Sequence, residues 1–267
     1  QPRLEQRWID LREDGDLEDV IAFAANFPLS GQSFLVLRDI SEFASVLIGG
    51  VPGSAEALSR EVLKRGEALR QRVLTQLKAQ RNELPWGFLG NRPMLTLVEY
   101  FVHAFGDTQP DACLDLMRWS VTIANPTDNT GLREYLIHGL VAGGRASEAI
   151  EVAAAYPDDY PTTEYGRVLA YFAAGQLDVA EDFLRQAVER WPNTWKMLHA
   201  VTPKRPRSKK PGYVTVGGND QAWEYRAAHL ELWRSTGALR WSAGFTITSP
   251  ATKRPITNNG EQGNLFS

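Results

Sequence analysis

Residues Pro161–Thr194 read PTTEYGRVLAYFAAGQLDVAEDFLRQAVERWPNT. Tyr165, Val168, Leu169 and Phe172 recur at the i, i+3, i+4, i+7 spacing that lines one face of a helix. Gly175 interrupts that helix, because glycine readily takes the left-handed conformation that ends one. Leu177, Ala180, Leu184 and Ala187 then give a second helix an inner face small enough for close approach, and Pro192 closes the stretch. The whole is a helix–turn–helix unit of about 34 residues, a period that belongs to helical repeat proteins.

The same order recurs upstream. Leu136, Leu140, Gly144, Ala149, Ala153 and Tyr156 repeat it, with Pro157 arriving early. Leu97, Phe101, Cys113, Met117, Ser120 and Pro126 fit with a small slippage. Leu4, Trp8, Leu11, Gly15, Leu17, Val20, Ala24 and Phe27 form a further copy. One helical pair cannot bury its apolar face alone, so several copies predict stacking. The expected fold is all-α, a tetratricopeptide-like α-solenoid of antiparallel helix pairs. Glu164 and Arg167 stand where the usual unit has an aromatic residue and a leucine, so the first helix of the best copy is expected to be rotated about its axis.

Three regions follow. Residues 1–82 form an N-terminal helical block with one repeat-like helix pair. Two further helices lie in it, Ser33–Ile48 and Ser54–Gln80, the second with Leu58, Val62, Leu69, Val73 and Leu77 along one side. Residues 83–245 hold the repeats, with a basic, proline-rich loop at 203–212 and a last helix from Asp220 to Thr236 carrying Ala222, Trp223, Ala227, Leu230 and Trp233. Residues 246–267 are polar and read as a flexible tail.

Composition narrows the class. Of 267 residues 43% are hydrophobic, enough for a sizeable core. A net charge of -3 gives no global pull toward nucleic acid or membrane. Cys113 stands alone, which excludes an internal disulfide and fits a reducing compartment. The longest apolar run, Phe43–Val51, falls short of the roughly 18–20 residues of a membrane span. No signal-peptide pattern opens the chain, so a cytoplasmic protein is expected; Gln1 in place of Met fits a fragment or processed form.

Three segments carry a more particular likeness. They are Leu84-Pro85-Trp86-Gly87 with Asn91-Arg92-Pro93-Met94, then Asn125-Pro126-Thr127-Asp128-Asn129-Thr130-Gly131-Leu132-Arg133, and Asp220-Gln221-Ala222-Trp223-Glu224-Tyr225 with Gly237-Ala238-Leu239. In this order they resemble a bacterial family of tetratricopeptide-like proteins. That family opens on Glu/Thr-Arg-Pro-Tyr-Met and links repeats by Asn-Pro-x-Asp-Asn-Gln-Gly-Ile/Leu-Arg. A weaker similarity, in the last helix, is to the suppressor-of-tumorigenicity proteins of animals. The likeness runs from Leu84 to Phe245. Met94 follows Pro93 without the tyrosine and Thr130 replaces the glutamine, so this chain resembles a divergent member. Some relatives carry a cysteine-rich zinc motif that a single cysteine excludes. The resemblance implies a helical-repeat fold and intermolecular binding, without an activity.

The chemistry-bearing residues point the same way. His103, His138, His199 and His229 form no metal-binding pair on one helix face, and no phosphate loop or nucleophile elbow occurs. Cys113 occupies a small-residue position, where a buried thiol acts as a packing group. No catalytic residue, metal ligand or cofactor is therefore expected. In the Asn125–Arg133 link, Asp128 or Asn129 is placed to accept the free N–H groups of the next helix. Arg133, one turn into that helix, calls for a carboxylate partner within the chain or on a ligand.

The leading expectation is a non-catalytic protein-binding scaffold or adaptor. Its groove would be lined by first-helix residues Glu99, His103, Arg133, Glu134, His138, Glu164 and Arg167, and its partner would be another protein or peptide. The alternative is nucleic-acid association through Arg60, Lys64 and Arg72 of the long helix and Lys204, Arg205, Arg207, Lys209 and Lys210 of the basic loop. Acidic residues from Asp10 to Asp19 offer the cations of the long helix an intramolecular or homo-oligomeric counterpart. An enzyme with a site assembled from distant residues is the third reading.

Overall fold

Prolines and glycines punctuate the helices. The computed structural model describes residues 2–14, 18–19, 22–23, 33, 35–36, 38–39, 64–65, 68, 83–106, 110–157, 160–206 and 214–245. Among the described residues the regular structure is helical, with no strand. The chain divides into two compact units, Gln1–Pro157 and Asp158–Ser267. The first contains α1 (Pro2–Asp14), α2 (Arg92–Phe105), α3 (Pro110–Trp119), α4 (Leu132–Ala142) and α5 (Ala146–Ala154). The second contains α6 (Pro161–Ala173), α7 (Leu177–Arg190), α8 (Pro192–His199), α9 (Asn219–Ser235) and α10 (Ala238–Ala243). Pro93, Pro161 and Pro192 sit in the first turn of their helices, where a missing N–H costs no hydrogen bond.

The turns that join α4 to α5 and α6 to α7 are copies of each other. In the first, Gly143, Gly144 and Arg145 donate their N–H groups to the carbonyls of Gly139, Val141 and Leu140. In the second, Ala174, Gly175 and Gln176 donate to Ala170, Phe172 and Tyr171. Gly144 and Gly175 are left-handed, with φ of 71° and 74°. The next helix then starts on the same bond, Ala149 N–H to Arg145 and Ala180 N–H to Gln176. Gly144 and Gly175 are 31 residues apart. At that interval Ala149 falls on Ala180 and Ile137 on Val168, and all four are fully buried.

In the first unit α3 packs on α2 and on α4, and α4 packs on α5. Leu95, Val98, Cys113, Met117, Leu136, Leu140 and Ala153 fill the space between them. Each large apolar side chain removed from water there is worth about 1.5–3 kcal/mol. Gly139 permits the closest approach, since a Cβ at that position would lie 2.6 Å from Leu114 Cδ2. The last turn of α3 widens into a π-helical segment, Ser120–Ala124, closed by Asn125 N–H to Ser120 O at 2.7 Å. Near the N-terminus Trp8 is buried against Phe23, and its indole N–H donates to Asp39 at 3.0 Å.

In the second unit α6 is central, in contact with α7 and α9, while α8 packs along α9. Its core is aromatic. Tyr165 lies against Tyr225 and Trp233, Trp233 Nε1–H donates to Tyr225 Oη at 2.8 Å, and Tyr165 Oη–H donates to Trp191 O at 3.1 Å. The polar tips of Tyr165, Tyr225 and Trp233 thus each have a partner.

Some expectations need correction. The buried stripe of α9, against α6 and α8, is Ala222, Tyr225, His229 and Trp233; Ala227 is exposed and Trp223 half-buried. α8 and α10 were not anticipated, being only 8 and 6 residues long. Residues 203–206 carry no regular structure. Most of the helix expected over Ser33–Ile48, most of the one over Ser54–Gln80, residues 207–213 and the tail lie outside the described residues. No helix among the described residues is long and apolar enough to cross a membrane.

Candidate functional site

The Asn125–Arg133 link closes on itself. Asp128 is the one described non-glycine residue with positive φ, at 44°, a conformation that aspartate tolerates better than most. That backbone turns its carboxylate onto the start of α4. Oδ1 accepts the N–H of Leu132 at 3.1 Å and Oδ2 accepts that of Arg133 at 2.8 Å. The side chain of Arg133 returns, its Nη1 donating to Oδ2 at 3.0 Å and to the Asp128 carbonyl at 3.1 Å. The guanidinium also lies 5.1 Å from the ring centre of Tyr156, whose hydroxyl donates to Pro126 O at 2.7 Å. The carboxylate that Arg133 calls for is therefore Asp128. Cap, ion pair and cation–π contact together give this motif an architectural task.

Glu99 and His103 stand one turn apart on α2, 39% and 48% exposed, with Nε2 and Oε1 4.0 Å apart. The ring of Tyr135, from α4, meets His103 edge-on at 5.2 Å and is 47% exposed. Partial burial raises the pKa of Glu99; Asp128 adds to the rise, and His103 opposes it. Burial likewise raises the Tyr135 phenol, with Glu134 and Glu99 adding to it. This leaves a carboxylate, an imidazole and a phenol side by side on the first helices of two adjacent pairs. Tyr135 is absent from the sequence-predicted set. Its neighbour Glu134 is in that set, and a shift of one residue along α4 would have found it.

The other expected groove residues lie elsewhere. His138 is only 4% exposed, and its Nδ1 is 2.8 Å from the Glu134 carbonyl. Burial lowers its pKa to about 4, against the smaller upward pull of that backbone bond. Glu164 and Arg167, in the second unit, are 4% and 7% exposed. Glu164 Oε2 is 3.8 Å from Arg167 Nη1, its Oε1 is 3.4 Å from Arg190 Nη1, and the Arg167 guanidinium lies 5.0 Å from the Phe183 ring centre. These three residues are internal, not groove-lining. The turn alignment gives the reason: 31 residues apart, Arg167 falls on core Leu136 and His138 on core Leu169.

Cys113 is buried, and burial raises its thiol to about 11, far from a reactive thiolate. Of the expected nucleic-acid contacts, Lys64, Lys204 and Arg205 are exposed, and Arg205 Nη2 is 3.5 Å from Glu224. Arg60, Arg72, Arg207, Lys209 and Lys210 lie outside the described residues. Lys64 belongs to the first unit and Lys204 and Arg205 to the second.

No family model, no curated protein and no solved structure matches this chain.

Proposed function

We propose that the protein is a non-catalytic binding scaffold of the tetratricopeptide-like class, its helix pairs stacked antiparallel as a solenoid. The repeated turn geometry at Gly144 and Gly175 supports the repeat class. The observation that carries the binding role is the exposed set Glu99, His103 and Tyr135 on the first helices of neighbouring pairs. Such a surface suits a peptide or protein segment with a basic residue for Glu99 and a flat or apolar one for Tyr135. Arg133, held by Asp128, braces α4 beneath it. On this reading the chain would be a divergent member of the bacterial family that its Asn125–Arg133 link resembles.

The test is selection of a random peptide library on the full chain. Peptides enriched in lysine or arginine beside an apolar residue are expected, with binding reduced about tenfold or more by Glu99→Lys and by Tyr135→Ala. Binders unaffected by either change would remove this surface from the proposal. Nucleic-acid association is the rival, and it predicts DNA or RNA binding that is strongest at low salt, about 50 mM, and is weakened by changes at Lys204 and Arg205.

A further inference from the structure

A second surface lies wholly within the unit Asp158–Ser267. The end of α8, the second half of α9 and the helix α10 border an open cavity of about 590 Å³. That is within the range of small-molecule sites, about 300–1,000 Å³. Its polar wall is cationic: Arg226, Arg234 and Arg240 line it together with His199, and no aspartate or glutamate does. Its apolar wall includes Leu198, Leu230 and Leu239.

Among the described residues one of the three arginines is paired with a carboxylate, and only loosely. Arg226 Nη1 donates to the carbonyls of Met197 and Leu198 at 2.9 and 2.7 Å, which fixes its guanidinium at the C-terminal end of α8. Those bonds occupy one of its three nitrogens. Arg234 has Glu231 at 3.9 Å, a pair whose members are 55% and 84% exposed and so weakly coupled. Among the described residues Arg240 has no ion-pair partner. Burial, and after it Arg234, lower the pKa of Arg226; burial and then Arg226 lower that of His199. The wall therefore carries mutually repelling positive charge, and His199, with Nε2 3.3 Å from Ser242 Oγ, adds a neutral imidazole.

We infer that this cavity binds a small organic phosphate of the monoester class. The phosphate group meets Arg226, Arg234 and Arg240, and the carbon body lies against Leu198, Leu230 and Leu239. A phosphomonoester brings a charge near -2 and three strong acceptor oxygens, which answers three guanidiniums better than one carboxylate does. An anion there also relieves the repulsion between Arg226 and Arg234. The site shares no residue with the Glu99 surface, so either can fail while the other stands.

Calorimetric titration of the full chain with phenyl phosphate, at about 50 mM salt to limit screening, is the test. One site per chain is expected. Arg234→Gln and Arg240→Gln, both exposed and shown to be folded by circular dichroism, should each weaken binding about tenfold. Benzoate and inorganic phosphate, lacking the phosphate and the carbon body respectively, should each bind about tenfold more weakly than phenyl phosphate. Absence of binding at millimolar phenyl phosphate, or affinity unchanged in both variants, would overturn the site. Benzoate binding as tightly as phenyl phosphate would overturn the phosphate assignment.

Discussion

Asp128 does three things with one side chain: it caps α4 at two N–H groups, pairs with Arg133 and sits in a left-handed turn. Its side chain is fully buried and that of Arg133 is 12% exposed, so removing the carboxylate strands a largely buried cation. Asp128→Ala should therefore lower unfolding free energy by about 3 kcal/mol, between the loss of a cap and the breaking of a buried pair. Asp128→Asn keeps a cap acceptor and the turn preference and should cost about half as much. Urea unfolding of both variants checks the order. His138 makes a second prediction at this scale. Its folded pKa of about 4 is below the value of 6.5 for a free histidine. The unfolded chain thus binds the extra proton first as pH falls. The associated stability is complete above pH 6.5 and is lost between 6.5 and 4, on the order of 3 kcal/mol in all. His138→Leu, which supplies the residue found at the matching position 169, should flatten the stability profile across that window relative to the parent chain.

At the scale of elements, the helix pair around Gly175 was legible because each of its signals has a local cause. The stripe Tyr165, Val168, Leu169 faces the core, the glycine ends α6, and Ala180, Leu184 and Ala187 are buried in α7. Gly175→Ala isolates the turn. A Cβ there meets nothing within 4 Å, so only the positive φ resists it. The expected loss is about 1–2 kcal/mol, and a matching loss is expected for Gly144→Ala, both read by thermal unfolding. What the apolar stripe alone could not show was which polar residues of a first helix stay outside. Glu164 and Arg167 read as a solvent face, yet α6 is covered by both α7 and α9, and that cover is a tertiary fact. Lining up the two glycines would have predicted the burial of Arg167 and His138. In α9 the aromatic residues lie on more than one side, so periodicity alone does not choose the inner face.

At the scale of the whole molecule, the helical class was readable from repetition, while function depends on surfaces that repetition does not encode. α2 and α4 bring Tyr135 to His103, and α8, α9 and α10 bring Arg226, Arg234 and Arg240 to one cavity. Neither grouping is adjacent in sequence. The central claim is that the Glu99, His103 and Tyr135 surface is where a peptide or protein partner is held. Its most direct test places a photo-crosslinking amino acid at Tyr135 and, as a control, at exposed Glu151 on α5. In the host cell the Tyr135 probe should give one discrete crosslinked protein, lost when Glu99→Lys is added, while the Glu151 probe gives none. Equal crosslinking at both positions, or a Tyr135 product indifferent to Glu99→Lys, would contradict the account.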